Sequence, residues 1–257
     1  MGKRGQVTIF IIIGIVIVAI GILIYVFYPK LQSIVGTDSN NPTAFMQTCL
    51  EDEIEDTVEI LSLQGGSMNP ENYVLNDDNK IEYLCYTDEP LRPCVVQQPM
   101  LKSHIESEIE SKISPIVDAC LEDLKSSFED KGYDVSLTDG NTTVELLPEA
   151  IVTTLTNELV LTKGDSEKYE KFRIIVNSKL YELTGIARSI IAWEAAYGDA
   201  ETTTYMNYYH DLKVEKEGPR EDGATIYILT NRDTKEVFQF ASKSLPWPPG
   251  LGIGLNE

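Results

Sequence analysis

The sequence predicts an α+β protein, with one N-terminal transmembrane helix followed by an ectodomain of amphipathic helices packed on an antiparallel β-meander. Three observations support this fold class. Residues 7–28 contain no charged side chain. Apolar residues then recur at helical spacing in three later stretches, and residues 133–163 alternate with a period of two, as half-buried strands do. Helices that cover one face of an antiparallel sheet define the α+β class.

The first element is the uncharged stretch of residues 7–28. As a helix, its 22 residues would span roughly 33 Å, the thickness of one hydrocarbon core. Lys3 and Arg4 precede the stretch, and such cations mark the cytoplasmic side of a membrane span. The sequence therefore predicts a single-pass membrane protein with a cytoplasmic N-terminus, an extracellular C-terminal domain and the lipid bilayer as the partner of residues 7–28.

The residues before this stretch point to a processed signal. Lys3-Arg4-Gly5-Gln6, followed at once by apolar residues, resembles the class III signal of archaeal type IV pilin-like proteins. The resemblance, which covers the N-terminal segment only, implies cleavage between Gly5 and Gln6, an apolar helix retained as the core of a filament, and an archaeal-type cell surface. Phe10 stands where bacterial pilins carry glutamate. A plain signal anchor without cleavage stays the alternative.

The remainder of the chain is strongly acidic. The formal net charge of the 257 residues is −20, and Lys3, Arg4 and Lys30 are the only charged residues before Asp38. Without these three cations, residues 32–257 carry a charge of −23. An acidic surface repels nucleic acid and anionic lipid headgroups, so no nucleic-acid partner is expected. Charge alone does not choose between solubility in salt, divalent-cation binding and a basic partner.

Composition divides the chain into four segments. Residues 32–44, QSIVGTDSNNPTA, are rich in turn formers and are predicted to form a linker. The predicted organisation is 1–31, a signal-like transmembrane helix; 32–44, the linker; 45–131, a helical part with a disulfide-bearing loop; and 132–257, antiparallel strands plus a long helix.

Helical periodicity predicts two helices in the first half of the ectodomain. One begins near Phe45 and ends at Gly65-Gly66, where glycine provides a natural helix stop. The other covers about residues 101–131, is broken or kinked near Pro115, and ends at Gly132. Between them, the proline-containing residues 67–100 are predicted to be irregular, with one short strand in KIEYLCY.

The second half is predicted to combine strands with a third helix. Residues 133–163 contain four short alternating segments joined by DGN, PEA and TNE turns, which is typical of an antiparallel meander. Asp165-Ser166 is predicted to cap a helix over residues 167–197. The segments DLKVEKE and ATIYILTNRDTKEVFQFASKS then return to strands, with Asn231-Arg232-Asp233 at a hairpin tip.

The chain has four cysteines, and an even number in an exported domain indicates disulfides. Cys85 and Cys94 are nine positions apart in a proline-containing loop, where a local bridge is easy to form. Cys49 and Cys120 lie on or beside the apolar stripes of the first two helices. We therefore predict Cys85–Cys94 and Cys49–Cys120, with four reduced thiols as the alternative. A zinc site is disfavoured because no CxxC pair is present.

One glycosylation sequon and one candidate pocket emerge from the remaining residues. Asn141-Thr142-Thr143 is the only N-x-S/T sequon without an intervening proline, and it falls at the predicted DGN hairpin turn. We expect a glycan at Asn141 on an extracellular domain. The candidate pocket surrounds NYYHDL, and its five residues are Tyr205, Tyr208, Tyr209, His210 and Asp211. The same aromatic residues could instead form a cap between a helix and the sheet.

No catalytic motif of the common hydrolase, metalloprotease or nucleotide-binding types is present. His104 and Glu108 are spaced to share a metal on a helix, but HIESEIESK looks like the charged solvent face of that helix. NDDNK, residues 76–80, lacks the spaced carboxylates, central glycine and distal glutamate of a calcium loop. The sequence thus predicts no metal and no cofactor.

The predicted function is a non-catalytic structural or adhesive role at the cell surface. In the pilin-like version the protein is a filament subunit that self-assembles, and in the anchor version it is tethered and meets another cell-surface protein. The alternative class is a surface-tethered ligand-binding module, or an enzyme, with a pocket near His210.

Overall fold

The computed structural model describes residues 41–246. Contacts divide the chain into two units, residues 1–45 and 46–257. Within the described residues there are four helices and twelve strands, which in chain order are α1 (Pro42–Leu63), β1 (Tyr73–Asn76), β2 (Asn79–Tyr86), β3 (Val95–Val96), α2 (Leu101–Asp130), β4 (Asp134–Leu137), β5 (Thr142–Leu147), β6 (Ala150–Leu155), β7 (Leu159–Lys163), β8 (Asp165–Tyr169), β9 (Phe172–Asn177), α3 (Leu180–Tyr197), α4 (Thr203–Tyr208), β10 (Leu212–Glu217), β11 (Ala224–Asn231) and β12 (Val237–Lys243).

Both N-terminal helices form where the apolar spacing predicts them. The predicted stop of α1 is confirmed: the Gly66 amide donates to the Leu61 carbonyl over 2.8 Å, with Gly65 and Gly66 at positive φ. Helix α2 buries one stripe of nine side chains along its length: Leu101, Ile105, Ile109, Ile113, Val117, Cys120, Leu121, Leu124 and Phe128.

The predicted break at Pro115 is wrong, because α2 runs without interruption through that residue; the kink that was the other expectation stays a prediction. Proline removes one backbone donor from the helix ladder, which leaves a carbonyl one turn earlier without its partner. Pro115 lies on the exposed side of α2, where water can satisfy that carbonyl.

The largest sheet has the strand order β1-β2-β12-β11-β10, with β3 also paired to β2. Strands β10, β11 and β12 are antiparallel neighbours, as the predicted hairpin requires. However, β12 pairs with β2 in parallel, so the prediction of a purely antiparallel sheet is wrong at this position. Parallel neighbours need a long connection, and here nearly the whole domain lies between β2 and β12.

Two smaller sheets replace the predicted meander. The four strands expected between residues 133 and 163 are present as β4 to β7. They do not form one sheet in which each strand pairs with the next along the chain. One sheet has the order β4-β7-β8 and the other has the order β5-β6-β9. The β5–β6 hairpin is therefore flanked in the chain by two strands that pair with each other and not with it. Strand position is a local property of the sequence, whereas strand partners are not.

The third helix, predicted over residues 167–197, is wrong up to residue 177, and its predicted cap Asp165-Ser166 lies in a strand: β8 and β9 occupy Asp165–Tyr169 and Phe172–Asn177. Phe172, Val176 and Leu180 are spaced four apart, which fits the helical period and the strand period equally well. Strand β9 alternates buried and exposed side chains, with Ile174 buried and Ile175 exposed. Only the later part of the prediction is a helix, α3.

The fold-class prediction also requires a correction at its first element. None of the helices within residues 41–246 combines the length and the apolar character that crossing a membrane requires. The fold class is therefore corrected to α+β, without support for a transmembrane helix from the described residues. Residues 7–28, to which that helix was assigned, lie outside the described residues.

The structure contains both predicted disulfides, Cys49–Cys120 and Cys85–Cys94. The first joins α1 to α2 across 71 positions of sequence, and the second closes a loop of nine. A disulfide stabilises a protein chiefly by restricting the unfolded chain, and the effect grows with the length of the closed loop.

We therefore expect the paired change Cys49→Ser/Cys120→Ser to cost more than Cys85→Ser/Cys94→Ser. The chain-entropy relation gives about 4 kcal/mol for the long loop and about 3 kcal/mol for the short one. Urea unfolding under non-reducing conditions measures both losses. Equal losses, or a larger loss for the short loop, would show that native packing around the sulfurs outweighs loop closure.

Candidate functional site

The structure brings three of the five predicted pocket residues to one groove. Tyr205, Tyr209 and Asp211 line a groove of about 400 Å³ between α3, α4 and the adjoining ends of β10 and β11. Ligand pockets commonly measure roughly 300–1,000 Å³, so the groove is large enough for a small ligand. Tyr208 and His210 do not line it, and the Tyr208 side chain is 77% exposed.

Aromatic side chains form two walls of the groove. Tyr181 of α3 is 39% exposed and Tyr209 is 43% exposed. A third tyrosine is held in place by a hydrogen bond between the Tyr205 hydroxyl and the Ser189 hydroxyl, 2.7 Å apart. Gly185 lies between these walls and adds no side chain, and a Cβ there would meet no atom within 4 Å.

The buried side-chain amide of Asn231 fixes the edge of the groove that adjoins the β-sheet. Asn231 is 4% exposed, and its Nδ2 donates to Asp211 Oδ2 over 3.0 Å. Its Oδ1 accepts the backbone amides of Asp233 and Thr234 at the hairpin tip. The predicted tip Asn231-Arg232-Asp233 is thus a structured turn that also positions the Asp211 carboxylate at the groove.

Helix α3 supplies most of the groove, and its N-terminus is held by a carboxylate. Glu236 Oε2, on the loop between β11 and β12, accepts the Lys179 amide and the Ser178 hydroxyl, each over 2.7 Å. The first amides of a helix lack partners within the helix, and negative charge is favourable at this end. Glu236 therefore fixes the start of α3 to the hairpin.

The other end of α3 is held by a buried carboxylate. Glu194 is 3% exposed; its Oε1 accepts the Tyr227 hydroxyl, and its Oε2 accepts the Ser242 hydroxyl over 3.0 Å. Tyr227 lies on β11 and Ser242 on β12. Burial, together with the charge and hydrogen bond of Glu194, raises the pKa of Tyr227 far above its ordinary value, so this tyrosine stays a donor. Both ends of α3 are thus attached to the same pair of strands.

A polar cluster near β2 was not predicted as a unit by the sequence. The Ser67 hydroxyl lies 2.7 Å from His104 Nε2 and 2.5 Å from Glu82 Oε2. The Met68 amide donates to Glu108 Oε2 over 2.8 Å. The two residues weighed as metal ligands, His104 and Glu108, therefore hold the loop that follows α1. Their signal was the i, i+4 spacing, but the loop that they bind is distant in sequence.

The donors and acceptors of this cluster argue against a serine nucleophile. An ionised Glu82 can only accept a hydrogen bond, so Ser67 donates its single proton to that carboxylate. His104 Nε2 must then donate to Ser67, and an imidazole that donates cannot act as the base for the same hydroxyl. Ser67 is also 5% exposed. These hydrogen bonds hold the loop that follows α1 in place.

A second groove, of about 370 Å³, lies between α1 and the start of α3. Apolar side chains form its floor, and Glu55, Glu59 and Glu236 stand at its edge. Partial burial, together with neighbouring carboxylates, raises the pKa of Glu55. Within residues 41–246, no group of three or more His, Cys, Asp or Glu is placed to hold a metal.

The remaining predicted sites are covered only in part. Asn141 is exposed directly before β5, and its side-chain amide makes no hydrogen bond within residues 41–246, so it is accessible. Glycosylation there stays a prediction. Gly5 and Gln6 lie outside the described residues.

Comparison with known proteins gives no match, whether to a family model, a curated protein or a solved structure. Function must therefore be inferred from the residues themselves. The resemblance of residues 3–10 to pilin-like signals stays a prediction.

Burial raises the pKa of the Glu82 carboxyl above its ordinary value, although hydrogen bonds from Ser67 and Gln98 and the charge of His104 oppose the shift. A carboxyl with a raised folded pKa binds its proton more tightly when folded. Stability therefore falls as the pH rises from about the ordinary value of 4.5 through the folded pKa. We expect Glu82→Gln to remove this loss.

Thermal unfolding of the two proteins between pH 4 and pH 7 measures the difference. The same change on an exposed side chain, Glu71→Gln, provides the control. Parallel curves for wild type and Glu82→Gln would contradict a buried, ionisable Glu82.

Proposed function

We propose that the protein is an extracytoplasmic domain attached to the cell membrane by its apolar N-terminal residues, with a non-catalytic structural or adhesive role at the cell surface. The observation that carries the proposal is the pair of disulfides, which engage all four cysteines of the chain. Disulfides persist in oxidising compartments and are rare in the cytosol. They support a domain that folds outside the cytoplasm.

The N-terminal sequence supports the same orientation. Lys3 and Arg4 stand directly before the uncharged residues 7–28, and such cations remain on the cytoplasmic side. If the N-terminus is processed after Gly5, as in pilin-like proteins, the apolar residues serve assembly of a filament. If Lys3 and Arg4 are retained, the same residues serve as a tether.

Exposed aromatic side chains favour adhesion over a purely structural role. Trp193 and Tyr197 lie one turn apart on α3 with ring centroids 4.9 Å apart, and they are 49% and 64% exposed. Tyrosine and tryptophan are enriched at recognition surfaces because they offer a large rigid area with a polar edge. The groove lined by Tyr181, Tyr205 and Tyr209, which we call the tyrosine groove, adds a concave site on the same helix.

A ligand-binding module is the second candidate function, and the groove favours it over an enzyme. Tyr209 and Asp211 line the groove, whereas His210, the residue type most often used in general acid–base catalysis, does not. His210 is exposed, and its backbone carbonyl accepts a hydrogen bond from Arg232.

The orientation is tested by labelling intact cells with a membrane-impermeant lysine reagent. Lys171 and Lys213 are exposed and should be modified before lysis. Intact-mass analysis of the same sample reads the N-terminus: a chain that begins at Gln6 supports filament assembly, and one that retains Lys3 and Arg4 supports a tether. Modification of Lys171 and Lys213 only after lysis would contradict the proposal.

A further inference from the structure

We propose that the groove between α3 and α4 binds a neutral carbohydrate, an oligosaccharide built from hexose or N-acetylhexosamine units. This inference rests on the proposed function, since it names a ligand class for the adhesive surface domain. Three features of the groove support it: exposed aromatic faces, polar groups without partners, and charges that disfavour an anion.

The aromatic faces suit the apolar side of a pyranose ring. Tyr181 comes from the first turn of α3 and Tyr209 from the segment after α4, so the two rings approach the groove from different elements. An aromatic face carries negative charge density, which attracts the polarised C–H bonds of a sugar. Both rings keep about two-fifths of their surface exposed, so a ligand can reach them without rearrangement.

Polar atoms of the groove lack partners within the described residues. Glu182 Oε1 accepts the Glu149 amide, but its Oε2 is buried and makes no hydrogen bond within residues 41–246. Asp211 Oδ2 accepts a hydrogen bond from Asn231 Nδ2, which leaves Asp211 Oδ1 available to another donor. Arg188 is exposed and forms no hydrogen bond or ion pair with any described residue. Glu182 Oε2 is too deeply buried for a ligand to reach directly, so Asp211 Oδ1 and the Arg188 guanidinium are the polar groups that the groove offers to a ligand.

The charges of the groove disfavour an anionic ligand. Four charged side chains line it, Lys102, Glu182, Arg188 and Asp211. Lys102 is paired with Glu106 over 2.5 Å, which leaves Arg188 as the cation available to a ligand beside two carboxylates. Phosphorylated ligands are further disfavoured by the net charge of −20 on the chain. Sugar hydroxyls can donate to the Asp211 carboxylate and accept from the Arg188 guanidinium at the same time.

The test is a titration of the full-length protein, reconstituted in lipid nanodiscs, with maltotriose, mannotriose and chitotriose, followed by calorimetry and by saturation-transfer NMR. Tri-galacturonate serves as the charged comparison. We expect saturable binding of at least one neutral trisaccharide. Tyr209→Ala should weaken that binding about tenfold through loss of the aromatic face, and Arg188→Gln should also weaken it.

Tyr73→Ala is the matched control, because it removes a tyrosine of similar exposure that lies on β1, outside the groove lining. It should change the affinity less than about twofold. The proposal is overturned if no neutral trisaccharide binds, if only tri-galacturonate binds, or if Tyr73→Ala and Tyr209→Ala have equal effects. Lysine labelling of intact cells is independent of these titrations. Outward labelling without sugar binding would therefore remove only the ligand class.

Discussion

Glu194 and Glu236 fix the two ends of α3 to the β11–β12 hairpin, and the tyrosine groove exists only where that helix lies. Glu194 is the more demanding of the two, because it is 3% exposed and no cation pairs with it within residues 41–246. A buried carboxylate costs several kcal/mol unless hydrogen bonds replace its hydration. Two hydroxyls, from Tyr227 and Ser242, supply that replacement, so their strands and α3 depend on one another.

The Cys85–Cys94 disulfide contacts Ser242, one of the two hydroxyl donors to Glu194. Cys94 Sγ lies 3.6 Å from the Ser242 hydroxyl, and the Cys94 amide donates to the Ser244 hydroxyl over 2.8 Å. Ser242 gives its single proton to Glu194, so the sulfur contact is one of packing. Formation of Cys85–Cys94 thereby places the irregular loop against β12 beside the buried carboxylate. Formation of this disulfide and the positioning of α3 are connected through one serine.

The sequence predicted most elements whose signal is local. Helices α1 and α2 followed from apolar spacing, and the strands β4 to β7 and β10 to β12 followed from alternation. It failed where one spacing fits two periods, as at Phe172 and Val176, and where the partner of a strand is distant, as in the parallel pair of β2 and β12. The break expected at Pro115 is absent because Pro115 lies on the exposed side of α2, where water can satisfy the carbonyl that loses its partner.

The candidate site was predictable only as a cluster of residue types. Tyr205, Tyr209 and Asp211 are close in sequence and were expected together. The other side of the groove comes from Tyr181 and Arg188 of α3, a helix that was expected there but whose position against these residues was not. Glu194 gave no signal, since a glutamate near the end of a helix is usually exposed. Its burial follows from the Tyr227 and Ser242 hydroxyls, which reach it from strands more than thirty residues away.

The most direct test of the attachment of α3 is the free energy of unfolding of Tyr227→Phe, measured by urea titration, with hydrogen exchange of the α3 amides. Loss of one donor to a buried carboxylate should cost about 2 kcal/mol and speed exchange in the last turn of α3. Tyr83→Phe is the control, because Tyr83 is 5% exposed and its hydroxyl makes no hydrogen bond within residues 41–246. A loss equal to that of the control, with unchanged exchange, would contradict the central role of Glu194.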